Sequence, residues 1–62
     1  MERDLRKIRQ RLQREGWIVL RQVGPHTVYA HPAGGRHVIV PHGRGDLPTG
    51  TALAIAMQAG WN

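Results

Sequence analysis

The chain has 62 residues, with nine Lys and Arg against four Asp and Glu, a formal net charge of +5. A chain this short buries only about 60% of its unfolded surface, so it has room for one thin core and no second domain. The absence of cysteine excludes disulfides and thiolate metal sites, and no segment approaches the roughly 20 apolar residues of a membrane span. With nothing that reads as a targeting segment, the expected location is the cytoplasm. Eight of the nine cations are arginine, whose planar fork suits phosphate. Nucleic acid is therefore the first partner to consider, with a merely solvated basic surface as the plain alternative.

Residues 4–15 read as a helix. Leu5, Ile8 and Leu12 recur at i, i+3 and i+7, while Arg3, Arg6, Lys7, Arg9, Arg11 and Arg14 cover the remainder. That basic side either lies along RNA or faces water. Gly16 is the expected stop, with Trp17 folding back toward Leu12. Residues 17–23 are apolar and β-branched and end at Gly24-Pro25, a sharp reversal. Residues 26–31 and 36–41 alternate around the turn Pro32-Ala33-Gly34-Gly35, and the face carrying Val28, Ala30, Val38 and Val40 is expected to be buried. A polar, Gly-rich connection, His42-Gly43-Arg44-Gly45-Asp46, leads to a second helix over residues 48–59. There Ala52, Ile55, Ala56 and Ala59 form the core stripe, and Leu53 and Met57 lie to one side of it.

The fold class expected is α+β: a single domain over residues 1–62, ordered α-β-β-β-α, with both helices on one face of a three-stranded antiparallel sheet. Its expected core is Leu5, Ile8, Leu12, Trp17, Val19, Val28, Ala30, Val38, Val40, Ile55 and Ala59.

Strand parity groups the polar residues. If Pro32 and Arg36 flank the second turn, His31 faces His37, Tyr29 faces Ile39, Val28 faces Val40, and His26 falls opposite His42. A two-residue turn at Gly24-Pro25 places Val23 opposite His26 and Arg21 opposite Val28. Arg21, His26 and His42 then share one end of the sheet. Two imidazoles and a guanidinium suit in-line phosphodiester cleavage by a 2′-hydroxyl, which needs no metal or other cofactor. The plain alternative is that each histidine is an ordinary surface residue, and a one-residue slip would exchange the faces. His31 and His37 lack a carboxylate or thiolate neighbour and make no expected metal site. Arg36, His37 and Arg44 are the expected RNA contacts outside the reacting centre.

From Leu12 and Gly16-Trp17 through Arg21, Gly24-Pro25-His26, Tyr29-Ala30-His31-Pro32, Gly35-Arg36 and Val40-Pro41, the chain resembles the HicA family. The likeness continues through Leu47-Pro48-Thr49-Gly50-Thr51, Ile55 and Gln58-Ala59-Gly60, nearly the whole chain. It implies a small toxin of a bacterial toxin–antitoxin pair, an mRNA interferase with a double-stranded-RNA-binding-like fold. It implies ribonuclease activity carried by His26, support from Arg21, and an acidic, HicB-like antitoxin as partner beside mRNA. Two departures stand out: the family's usual Ser before that histidine is Pro25 here, and its Pro-x-His after the third strand is contracted to Pro41-His42. Leu53 and Met57 stand where the family often has cations, and they are the expected interface with the antitoxin or with a second copy of the chain. A non-catalytic RNA-binding module and a pure protein-interaction domain are the competing readings.

Overall fold

A computed structural model describes residues 1–61, in which α1 (Leu5–Arg14) is followed by β1 (Ile18–Val23), β2 (His26–Ala30), β3 (Val38–Pro41) and α2 (Thr49–Ala59). The strands pair antiparallel in the order β1-β2-β3. The expected elements are all present, each within a few residues of its expected bounds.

α1 begins at Asp4, whose carboxylate accepts the Arg6 N–H at 3.2 Å, one of the donors that the first helical turn leaves unpaired. Its apolar stripe, Leu5, Ile8 and Leu12, is buried, and past the helix the Trp17 N–H donates to the Leu12 carbonyl at 3.0 Å. Gly16 makes that reversal with a φ of +92°, and a Cβ there would come within 3.2 Å of His31 Nε2. The conformation therefore favours glycine, and a Cβ would also crowd the His31 ring.

The pairing of β2 with β3 departs from the expected register by one residue. Tyr29 lies opposite Val38, Val28 opposite Ile39, Thr27 opposite Val40 and His26 opposite Pro41. The connection from His31 to His37 is an irregular loop, closed locally by the Gly34 N–H on the His31 carbonyl at 2.9 Å, so His31 and His37 form no pair. The slip exchanges faces. Tyr29, Val38 and Val40 join Leu5, Ile8, Leu12, Leu47, Ala52 and Ile55 in the core, which places both helices on that side of the sheet. Val28 points the other way, contrary to expectation, and is buried on the uncovered face beneath Arg21 and Ile39. Ala30 is only half-buried.

A bulge in β1 between Val19 and Arg21 shifts the pairing with β2. Val19 thereby faces the helix side opposite Tyr29, but it remains 55% exposed instead of entering the core. α1 stops short of it, leaving a groove lined by Arg9, Gln13, Trp17, Val19 and Tyr29. α2 sits over β3, where the Gln58 amide oxygen accepts the Ile39 N–H at 2.9 Å and blunts that sheet edge.

Two further contacts tie the ends of the chain together. The Leu47 N–H donates to the Arg3 carbonyl at 2.8 Å, and Arg3 Nε returns a bond to the Leu47 carbonyl at 2.8 Å, which brings Leu47 into the core. At the other end of α1, the Glu15 carboxylate accepts Arg11 Nε at 2.8 Å and the Trp61 indole N–H at 2.7 Å. Arg11 also lies 4.2 Å over the Trp61 ring. The Arg11 guanidinium and then the Trp61 N–H hold the Glu15 carboxyl below the usual carboxylate range.

Ile55 is fully enclosed and Val19 is not. Ile55→Ala should cost about 2–5 kcal/mol in urea denaturation, and Val19→Ala under about 1 kcal/mol. Equal losses would show that the core has been assigned to the wrong residues.

Candidate active site

The site is built around the β1–β2 turn. Gly24, with a φ of +55°, takes the first central position, and Pro25, with its fixed negative φ, takes the second. A type II′ hairpin turn requires that combination, and it sets Val23 opposite His26. Arg21 pairs with Val28 and so shares a face with His26. Strict alternation would have put Val19 and Arg21 on one face; the bulge between them sends Val19 to the helices and Arg21 to the open side. Arg21, Val23, His26, Val28 and Ile39 line a shallow groove of about 420 Å³ on that bare face. Among the described residues the His26 ring makes no hydrogen bond, so both its nitrogens face solvent or a substrate.

His42 lies at the same end of the sheet but on the opposite face, which corrects the expected grouping of Arg21, His26 and His42. It continues the Val38, Val40 side of β3, because His26 pairs with Pro41. His42 Nε2 lies 2.6 Å from Gln22 Oε1 and 3.0 Å from Thr27 Oγ1, and the Thr27 hydroxyl donates to the same Gln22 oxygen at 2.9 Å. An amide oxygen only accepts, so this network places the His42 proton on Nε2. The His42 backbone N–H donates to the Pro25 carbonyl at 2.8 Å. Pro25 lacks an N–H to offer a phosphate, yet its carbonyl holds the turn to the end of β3.

The other histidines separate as well. The Ala33 N–H donates to His31 Nδ1 at 3.1 Å, which assigns the proton to Nε2, and Nε2 donates to the Glu15 carbonyl at 2.9 Å. The same ring meets Trp17 edge-on, centroids 5.1 Å apart, so His31 ties β2 to the end of α1. Arg36 and His37 are exposed in the loop between β2 and β3, at the far end of the sheet from His26. β3 alone separates them from the turn by roughly 13 Å, at about 3.3 Å per residue. Arg44 is exposed in the loop after β3, at the His26 end.

The basic side of α1 is also smaller than its composition implies. Arg3 and Arg11 are engaged as described, and Arg9 Nη2 donates to the Gly43 carbonyl at 2.9 Å. Arg6, Lys7 and Arg14 stay turned to solvent. Among the described residues no group of three or more His, Cys, Asp or Glu side chains is gathered to hold a metal ion.

Sequence reasoning missed Gln22 and Thr27 as partners of His42, and Val23, Val28 and Ile39 as the floor beneath His26. The pairing of Gln22 with Thr27 was available, because the two-residue turn that sets Val23 opposite His26 also sets it, but His42 joins them only through the register of β3 on β2. The floor was hidden by the register slip.

A sequence model of the family described as HicA toxin of bacterial toxin-antitoxin matches residues 5–61, from the first core leucine of α1 to the tryptophan beyond α2. The chain belongs to the HicA toxin family. HicA proteins are toxins that pair with antitoxins and act on RNA, generally as mRNA-cleaving ribonucleases. A search of curated proteins finds no match. No helix among the described residues is long and apolar enough to cross a membrane.

His42→Ala should lower stability by about 1 kcal/mol, the usual worth of a lost hydrogen bond. It should shift the NMR signals of Gln22 and Thr27 while leaving Val28 and Ile39 nearly in place. Larger shifts at Val28 and Ile39 would show that His42 faces the groove after all.

Proposed function

We propose that this HicA-family chain is an endoribonuclease of mRNA in the cytoplasm, in which His26 is the reacting side chain and Arg21 its electrostatic support. The observation that carries the proposal is their shared open groove, in which the imidazole has no competing partner. His26 takes the proton of a ribose 2′-hydroxyl as its oxygen attacks the adjoining phosphorus. Arg21 offsets the charge that builds on the non-bridging oxygens. The bond from phosphorus to the 5′ oxygen breaks, leaving a 2′,3′-cyclic phosphate. The departing oxygen lies on the far side of phosphorus from His26 and draws its proton from solvent, for which the groove is open. No metal or other cofactor takes part in these steps.

His42 acts through position in this reading. It braces the turn that presents His26 and touches no substrate. Arg44, near the same end, and Arg36 with His37, at the far end, hold phosphates of different stretches of the strand.

The partner is a HicB-like antitoxin seated on α2. Leu53 and Met57 are 50% and 64% exposed, one turn apart. They border a groove of about 350 Å³ with Met1, Glu2, Arg11 and Trp61. Trp61 serves both this groove and the core, against which it is partly buried. Such an apolar recess suits a partner with an apolar anchor, and the chain's net charge of +5 favours an acidic one. A second copy of the chain is the competing occupant.

In chelator-treated buffer, His26→Ala should cut RNA cleavage by about 100-fold or more while retaining binding. A metal requirement would remove the mechanism. Binding without cleavage by the unaltered chain would establish the non-catalytic module instead. For the partner, Leu53→Glu with Met57→Lys should leave the circular dichroism unchanged and weaken antitoxin binding at least tenfold. Unchanged antitoxin affinity would remove the patch from that interface, and a fall in mass from dimer to monomer by light scattering would assign it to a second copy.

A further inference from the structure

We infer that the RNA strand crosses the bare face of the sheet unpaired, with one base resting on the apolar floor of Val23, Val28 and Ile39 and its adjoining phosphate at Arg21. The inference rests on His26 as the reacting group. Any phosphorus within reach of that ring must lie on the side of the sheet that carries no helix, because His26, Arg21 and Val28 share that side. The solvent-facing cations of α1, Arg6, Lys7 and Arg14, lie beyond the helix layer on the other surface of a domain whose shortest Cα extent is 18 Å. A duplex laid along α1 would keep its phosphates away from His26.

The floor has the chemistry of a base contact. Val23 and Ile39 are 52% and 46% exposed, and Val28 is buried between them. A phosphate alone would gain nothing from three aliphatic side chains, whereas the flat face of a base has apolar surface to cover. The volume of about 420 Å³ lies at the small end of ligand sites, the scale of one nucleotide. Charge agrees with this occupant. The four acidic residues sit elsewhere: Glu2 and Asp4 before α1, Glu15 after it, and Asp46 in the loop paired with Asp4. The groove offers an anionic strand only Arg21 and His26.

Pairing in the substrate is excluded on two grounds. Bases in a duplex are stacked and cannot lay a face on the floor. A duplex backbone also holds the 2′ oxygen out of line with the departing 5′ oxygen. Among the described residues no Trp or Tyr ring lies on this face, since Tyr29 enters the core and Trp17 and Trp61 pack against it. The base is therefore held by aliphatic contact without a hydrogen-bonding code, and any base fits.

The test uses a mixed-sequence 2′-O-methyl oligonucleotide, which cannot be cleaved because its nucleophile is blocked, alone and annealed to its complement. Fluorescence anisotropy should show the single strand binding at least tenfold tighter than the duplex. Its amide shift changes should centre on Val23, His26, Val28 and Ile39. Ile39→Glu should weaken single-strand binding at least tenfold, and Ala54→Glu, the same charge change on the exposed side of α2, less than threefold. If Ile39→Glu fails to fold by circular dichroism, Val23→Glu takes its place. Equal losses in the two charge variants, equal competition by the duplex, shifts centred on α1, or no binding would each overturn the inference. So would a dimer that buries the bare face, detected by light scattering and dilution-dependent shifts at Ile39. Because the probe is inert, strand binding on this face without cleavage of natural RNA would sink the nuclease reading alone. Cleavage through His26 with binding mapped to α1 would sink this inference alone.

Discussion

The pairing of Tyr29 with Val38 decides which half of every strand meets the helices, because strand side chains alternate and a slip of one residue exchanges the faces. Tyr29, Val38 and Val40 supply the sheet's share of a core that a chain of 62 residues can barely afford to weaken. The same pairing leaves Val28, Ile39 and His26 on the uncovered side. The bulge in β1 then brings Arg21 to that side while keeping Val19 toward the helices. One register and one extra residue assemble the groove.

The positions around the groove are fixed from behind. His42 reaches Gln22 and Thr27 from the helix face and takes the Pro25 carbonyl with its backbone N–H, so the turn beneath His26 is joined to β3 as well as to β1. His31 plays the corresponding part at the other end, binding the Glu15 carbonyl and packing on Trp17. Both histidines are engaged in hydrogen bonds within the fold, and His26 is the one imidazole that lines the groove on the bare face. The apolar pair Leu53 and Met57 stands on the helix layer, with the sheet between it and His26. An inhibitor seated only on that pair would leave the groove uncovered; direct occlusion calls for a second segment that reaches around the sheet.

Much of the fold was legible because its signals are local. The stripe of Leu5, Ile8 and Leu12, the stop at Gly16, the Gly24-Pro25 reversal and the small-residue stripe of α2 each act within a few residues, and each formed as read. The register of β2 on β3 is not local. It depends on how the irregular loop from His31 to His37 closes, and the hydrophobic pattern there is ambiguous, since Val28 and Tyr29 both suit a core. Arg21 and His26 could be placed together from the turn alone. His42 could not, because its face depends on the loop. The bulge at Leu20 and the short reach of α1, which leave Val19 in water, had no sequence mark.

The arrangement is tested most directly by the cross-strand nuclear Overhauser effects of the isotope-labelled protein. Contacts between the residue pairs Tyr29 and Val38, Val28 and Ile39, and His26 and Pro41 are expected, with the His42 ring near Gln22 and Thr27 and the His26 ring near Arg21 and Ile39. Pairing of Tyr29 with Ile39 and of His26 with His42, with the two imidazole rings in contact on one face, would contradict the register and the groove built on it.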